Sequence, residues 1–221
     1  MAEGEGHMII PMFSINASGK QKVNLAIRNL MAAALFARKA GEIEEKHKGQ
    51  SLGPFFDEES FYVISSIMMA VGAMESKVNE YIEDNIKTIP GINKAYNERG
   101  LLRKCQKVLT LSKKAIFDES GATYRNADTL IRFRNAYVHF KPEWDDNQVK
   151  HKEIAEKIIG LFEMNPYFPI SDPLFPLRAL SYGCGRWAVI VSKDFIDEFD
   201  VKLDLSKLTE IFREQLNTAI K

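Results

Sequence analysis

The chain has 221 residues, of which 45% are hydrophobic and 27% charged, and its 30 basic and 30 acidic side chains cancel to a formal net charge of zero. These values are ordinary for a globular protein with one sizeable domain, and they exclude a chain that coats nucleic acid through bulk charge. No apolar run approaches the roughly 20 residues needed to cross a bilayer, and the start lacks the regions of a signal peptide. A cytoplasmic protein with no membrane partner is therefore expected.

In chain order, the sequence predicts a short N-terminal segment followed by helices. Residues 1–19 are interpreted as a tail or a short strand, because Pro11 limits the alternating run MIIPMFSIN. Apolar spacing and helix-forming residues predict helices over 20–48, 57–86, 101–117, 123–140, 144–164, 177–199 and 204–216. The fold class predicted is all-α, an antiparallel helical bundle over 20–164. A proline-rich linker and C-terminal helices, 165–221, are expected to pack on the same body.

Local signals give these helices more detail. In the second helix, one apolar stripe is predicted to face the core: Phe61, Ile64, Ile67, Met68, Val71, Met74 and Val78. Asp145 or Asp146 is the expected N-cap of the helix over 144–164. Cys105 and Cys184 are far apart and are expected to be reduced thiols. The glycines of SYGCG, residues 181–185, indicate close helix packing, since no strand precedes them as in a phosphate-binding loop.

Charge is unevenly distributed along the chain. Residues 94–141 hold 11 Lys and Arg against 4 Asp and Glu, whereas the flanking segments are slightly acidic. A local positive potential attracts polyanions even when the whole protein is neutral. A solvated helix face is the simpler interpretation of the same charges, and both remain open.

The stretch RFRNAYVHFKPEW, residues 132–144, carries the most chemistry. Asn135 lies four residues and Arg132 seven residues before His139, and both spacings return to the same helical face. Arg134 lies five residues before His139, roughly 140° around the helix. The helix is predicted to end at Lys141, because the residue before Pro142 is pushed out of the α region.

The run RNAYVH resembles the R-x(4–6)-H motif of HEPN domains, in the form with asparagine after the arginine. The match identifies Arg134, Asn135 and His139, and Arg132 satisfies the longer spacing. The resemblance covers roughly residues 57–163, and the helices outside it look like additions. It implies a compact helical bundle, often dimeric. Many members are metal-independent ribonucleases of toxin–antitoxin, phage-defence or RNA-processing systems, and others are inactive binding modules.

The residue types of this motif suit the cleavage of RNA. Histidine transfers protons near neutral pH, and arginine offers a forked donor set for phosphate oxygens. We therefore expect an endoribonuclease without a metal or cofactor, acting on RNA, with an antitoxin or larger defence protein as a further partner. A homodimer would place two copies of His139 in one cleft. The residues assigned are Arg134, Asn135 and His139 as catalytic, Arg132, Lys141, Lys104 and Lys107 as substrate-binding, and Glu75, Asn79 and Tyr137 as supporting.

Other interpretations of the same residues stay open. The helix dipole favours a histidine near a helix C-terminus without catalysis, Asn135 could bond a neighbouring helix, and Arg132 could pair with an acidic residue. A metal site of His151 with Glu153 and Glu156 has little support, because the spacing is unlike a two-histidine helix motif. A nucleic-acid or nucleotide binding module, or a helical interaction subunit, are the alternative functions.

Overall fold

The computed structural model describes residues 13–15, 21–144, 147–211, 214 and 216. The fold is predominantly α-helical, as predicted. Two short strands pair antiparallel, β1 (Phe13–Ile15) with β2 (Gln21–Val23). The α-helices are α1 (Ala26–Lys46), α2 (Phe55–Asn85), α3 (Leu101–Leu111), α4 (Ala122–Val138), α5 (Val149–Ile158), α6 (Tyr182–Lys202) and α7 (Leu208–Ile211). A 3₁₀ helix at Ile92–Asn97 and a kinked helical turn at Leu174–Arg178 lie between them.

Three helices, α1, α2 and α6, form the centre of the protein. Asn29 donates to Ser76 at 3.2 Å, whereas Ser66 donates to the Ala33 carbonyl at 2.9 Å, so α1 and α2 run antiparallel. Ser192 donates to the Ala70 carbonyl at 2.7 Å, and Ser66 also reaches the carbonyl of Gly185, so α2 and α6 run in the same direction. The helices before and after residues 57–163, which were expected to be additions, are thus part of the central core.

Small residues let these helices approach closely. Ala33, Ala34, Ala37 and Ala40 of α1 are buried against α2 and α6. A Cβ on Gly185 would lie 3.3 Å from the Ala37 Cβ, and one on Gly183 would lie 2.7 Å from the Glu163 carbonyl oxygen. The prediction that the glycines of SYGCG serve close packing is confirmed. Cys184 beside them is fully buried, and both cysteines are free.

Helix α2 is the longest element, and its buried face differs partly from the predicted stripe. Ile67, Val71, Met74 and Val78 are buried as predicted, Ile64 and Met68 are half-buried, and Phe61 is exposed. The prediction for Phe61 was wrong because it used apolar residues alone to locate the buried face. In the N-terminal half of α2 that face also includes the polar residues Glu59, Ser60 and Ser66. Polar side chains that find partners on other helices can occupy a buried face.

Among the described helices, only α2 is long and apolar enough to cross a membrane by length and composition. Of its most apolar window, 44% is buried inside the protein, against α1 and α6. The core helices of globular proteins pass the same test.

Several predicted helix ends were wrong: α4 ends at Val138, α5 spans Val149–Ile158 rather than 144–164, and α6 begins at Tyr182 rather than residue 177. Two further ends were wrong for identifiable reasons. Helix α1 begins at Ala26 rather than at residue 20. Its first turn is capped by Glu80, whose carboxylate accepts from the backbone N–H groups of Leu25 at 2.6 Å and Ala26 at 2.8 Å. Helix α3 ends at Leu111 rather than residue 117, because Lys113 adopts a left-handed conformation with φ of 57°. The N–H of Lys114 then donates to the Leu109 carbonyl at 2.9 Å, which closes the helix end as a Schellman motif.

A buried ion pair joins two of the core helices. Lys77 of α2 lies 2.6 Å from Asp200 of α6, and the side chains are 12% and 0% exposed. Removing two charges from water is costly, and their attraction offsets that cost only while both remain. The pair therefore ties the C-terminal half of α2 to that of α6.

Candidate active site at the end of α4

A cavity of about 330 Å³ lies where α4 meets α5. Its polar lining comes from Arg132, Asn135 and His139 of α4, Lys141 of the following loop, and Lys150, His151 and Glu153 of α5. Phe140 and Phe175 contribute aromatic surface. Among the described residues, the lining thus holds three cationic side chains, one carboxylate and two imidazoles.

The shared face predicted for three of the motif residues is present. Arg132, Asn135 and His139 all line this cavity, as their spacing of three and four residues requires. Arg134, the expected catalytic arginine, is not among the lining residues. It lies 140° from His139 around the helix, and its Nε is buried without a hydrogen-bond partner among the described residues. The structure thus brings Arg132, rather than Arg134, beside His139.

Arg132 already has one partner on its own helix. Its Nε lies 2.6 Å from the Asp128 carboxylate, in an (i, i+4) pair of two partly exposed side chains. This contact is the ion pair that a purely structural role for Arg132 would require. It occupies one edge of the guanidinium, and the fork of Arg carries further N–H donors.

Tyr137, expected to support the site, has a structural position instead. Its hydroxyl donates to the Pro176 carbonyl at 2.7 Å, and its ring packs edge-on against Phe133 at 5.0 Å. Burial raises the pKa of the Tyr137 hydroxyl well above its usual value. Tyr137 therefore fixes the segment that carries Phe175 against α4, and Phe175 in turn forms one wall of the cavity.

Glu75, Asn79 and Lys104 form a cluster of their own between α2 and α3. The Lys104 ammonium donates to Asn79 at 3.1 Å and lies 3.6 Å from Glu75. The Lys104 side chain is 12% exposed. Neither it nor Lys107 lines the cavity, so the structure does not bring these expected supporting and substrate-binding residues to the motif.

The loop after α4 positions α5. The Glu143 carboxylate accepts from the backbone N–H groups of Lys150 at 3.2 Å and His151 at 3.0 Å. These hydrogen bonds, that from His151 above all, lower the pKa of Glu143. Glu143 therefore caps the first turn of α5, and the caps expected from sequence, Asp145 and Asp146, lie outside the described residues.

His151 lines the cavity but was not among the site residues expected from the sequence. It was considered for a metal site with Glu153 and Glu156, but the described residues contain no group of three potential metal ligands. Its ring is buried, and its Nε2 lies 3.0 Å from the Lys141 carbonyl. The sequence did hold a signal for the helix that carries His151. Glu143 lies eight residues before His151, and a carboxylate suits the positive N-terminal end of a helix.

A larger cavity of about 690 Å³ lies at the C-terminal end of α1, lined in part by Arg38, Glu42, Glu44 and Tyr182. Its described lining contains no histidine, and its charges are mixed. The smaller cavity holds the groups that transfer protons at neutral pH, so we place the candidate site there despite its size.

The segment that carries Phe175 is anchored by two carboxyl groups, that of Glu59, which is fully buried, and that of Glu44, which is partly exposed. Asn165 donates to Glu59 at 3.0 Å and to the Leu180 carbonyl at 2.7 Å. The Tyr182 N–H donates to Glu44 at 2.8 Å. Burial, and after it the charge of Glu44, raises the pKa of Glu59 to about 9, so Glu59 holds a proton at neutral pH.

This pair predicts a pH-dependent stability. The pKa of Glu59 lies above its ordinary value of 4.5, so the folded state binds more protons between that value and about 9. The free energy of unfolding should therefore fall as pH rises through this window, by at most about 1.4 kcal/mol per pH unit. Glu59→Gln should flatten the slope and stabilise the protein at pH 8, as measured by urea unfolding. Glu58→Gln, at an exposed neighbour, is the matched control, and a slope that survives in Glu59→Gln would contradict the assignment.

Comparisons with protein-family models, with curated proteins and with solved structures give no match. The candidate site therefore rests on its own geometry and on the resemblance of its motif.

Proposed function

We propose that this protein is a metal-independent endoribonuclease of the HEPN type that acts on RNA in the cytoplasm. One observation carries the proposal: Arg132, Asn135 and His139 line a single cavity at the end of α4. Its volume falls within the range of about 300–1,000 Å³ that is usual for small-ligand pockets. Phe140, which is 43% exposed, offers a surface on which a base can stack, as single-stranded RNA requires.

The proposed chemistry uses the 2′-hydroxyl of the RNA as nucleophile. His139 transfers a proton in the step that breaks the P–O5′ bond. Arg132 stabilises the negative charge that develops on the phosphate oxygens, and Asn135 holds either the phosphate or the imidazole. The products are a 2′,3′-cyclic phosphate and a 5′-hydroxyl. Incubation of the protein with single-stranded RNA in a chelator tests this function, and DNA, which lacks the 2′-hydroxyl, should survive.

RNA binding is expected to depend on the two lysines that line the cavity. Lys141→Gln with Lys150→Gln should weaken binding of a 2′-deoxy-substituted oligonucleotide, because each cation neutralises one phosphate. The slope of log affinity against log salt should fall by roughly 1.4. The matched control is the double variant Lys46→Gln with Lys48→Gln, which removes the same charge at the end of α1. Fluorescence anisotropy at several salt concentrations measures both variants, and equal slopes would place the RNA elsewhere.

The protein partners proposed are a second copy of the chain and an antitoxin or larger defence protein. Exposed apolar side chains beside the cavity support a homodimer, Trp144 at 84% exposure above all, together with Val138, Phe140 and Val149. Light scattering at micromolar concentration should give the mass of two chains, and Trp144→Ser should shift it towards one. A wild-type mass of one chain at that concentration contradicts the dimer.

A non-catalytic nucleic-acid binding module is the second candidate. The Arg132–Asp128 pair favours it, because a guanidinium already held by a carboxylate is less available to a reacting phosphate. RNA that binds in the cavity and stays intact would establish this function.

A further inference from the structure

His139 is one of two histidines in the candidate cavity. His151 of α5 lines the same space, although it follows His139 by twelve residues and belongs to a different helix. Cleavage by the 2′-hydroxyl has two proton transfers, one from the attacking oxygen and one to the leaving oxygen. A dimer was expected to bring a second copy of His139 to the site, but the described lining of this cavity already holds two histidines of one chain.

The hydrogen bond of His151 determines which ring nitrogen can accept a proton. Nε2 lies 3.0 Å from the carbonyl oxygen of Lys141. A carbonyl oxygen only accepts, so Nε2 must carry the hydrogen. In the neutral ring the lone pair is then on Nδ1, and a ring with this tautomer fixed is a proton acceptor.

The surroundings hold the ring rigidly in that orientation. Phe140 stacks on it with centroids 5.4 Å apart, and Phe175 meets it edge-on at 5.2 Å. Its backbone N–H donates to the Glu143 cap at 3.0 Å. His139, in contrast, is exposed at the C-terminal end of α4, where its side chain can reach solvent. The charged groups around the two rings are Arg132 on α4, Lys141 and Glu143 in the loop, and Lys150 and Glu153 on α5.

We propose that His151 is the general base of the reaction and His139 the general acid, so that one chain supplies both proton transfers. This proposal rests on the proposed ribonuclease function. Nδ1 of His151 takes the proton of the 2′-hydroxyl as the O2′–P bond forms. The P–O5′ bond breaks, and its electron pair takes a proton from the imidazolium of His139. Exchange with water returns both rings to their starting states.

The test uses His151→Gln, whose amide N–H can still donate to the Lys141 carbonyl but cannot act as a base. It should lower kcat by about two to four orders of magnitude with KM changed only a few-fold. The acidic limb of the pH profile of kcat/KM should disappear, whereas His139→Gln should remove the alkaline limb. His47→Gln, at a ring that stacks on Phe55 away from this cavity, is the matched control.

A second measurement does not depend on turnover or on a variant that folds. Cytidine 3′-monophosphate, titrated into the wild-type protein, should shift the NMR titration curves of both the His139 and the His151 rings. If His151→Gln cleaves RNA with the wild-type kcat and both pH limbs, or if only His139 responds to the nucleotide, the role of His151 is overturned while the ribonuclease function stands. If the wild-type protein leaves RNA intact, both proposals fail.

Discussion

Replacing His139 with alanine is expected to slow cleavage of single-stranded RNA by about two to four orders of magnitude, the usual contribution of a general acid or base. The ring lies in the cavity at the exposed end of α4, outside the apolar core, so the variant should keep its fold. Single-turnover cleavage rates measure the effect, and circular dichroism verifies the fold. His47→Ala is the matched control. A variant that unfolds would identify His139 as a structural residue, and one that cleaves at the wild-type rate would remove it from the mechanism.

The same assay decides which arginine serves the reaction. Arg132 lines the cavity with His139, whereas Arg134 does not. Arg132→Ala should therefore cause the larger loss of rate, and Arg134→Ala the smaller. The reverse order would indicate that Arg134, which the shorter motif spacing favours, reaches the phosphate in the working enzyme.

The largest effect on stability is expected at the ion pair of Lys77 and Asp200. Asp200→Ala should lower the free energy of unfolding by about 3–5 kcal/mol, because it leaves an uncompensated ammonium that is only 12% exposed. Adding Lys77→Met should recover part of this loss, since an apolar side chain of similar length carries no charge to desolvate. Urea unfolding at neutral pH measures all three proteins.

The control for this prediction is an exposed pair of the same chemistry. Lys48 and Glu45 lie 3.3 Å apart and are 74% and 76% exposed. Glu45→Ala should leave the urea midpoint unchanged, because water and salt screen such pairs. If Asp200→Ala proves as mild as Glu45→Ala, the pair of α2 and α6 does not stabilise the core.

The sequence predicted the helices well where the signal was local, and failed where a distant contact or an unusual backbone conformation set the ends. The alanines of α1 are a local signal that the structure confirms, whereas α4 ends at Val138, before Lys141, where the following proline was expected to end it. The start of α1 is capped by Glu80, a residue of another helix, and the end of α3 is set by Lys113 in a left-handed conformation that favours glycine. Neither feature can be read from nearby residues.

The candidate site shows the same difference between local features, which could be predicted, and distant contacts, which could not. Helical spacing alone predicted that Arg132, Asn135 and His139 share one face, and they line one cavity. It could not predict that the chain turns back after Lys141 and brings His151 to the same cavity, because that contact depends on the Glu143 cap and on the Phe175 wall. Nor could it predict that Lys104 is held by Glu75 and Asn79 between α2 and α3.

The most direct test of the central claim is the chemistry of the RNA ends that the wild-type protein leaves. Unstructured RNA is incubated with the protein in excess EDTA, and the fragments are analysed by mass spectrometry. Because the proton transfers and the charge stabilisation are assigned to side chains, fragments with a 2′,3′-cyclic phosphate and a 5′-hydroxyl are predicted, with DNA of the same sequence untouched. Intact RNA, or fragments that form only after a divalent metal is added, would contradict a metal-independent ribonuclease.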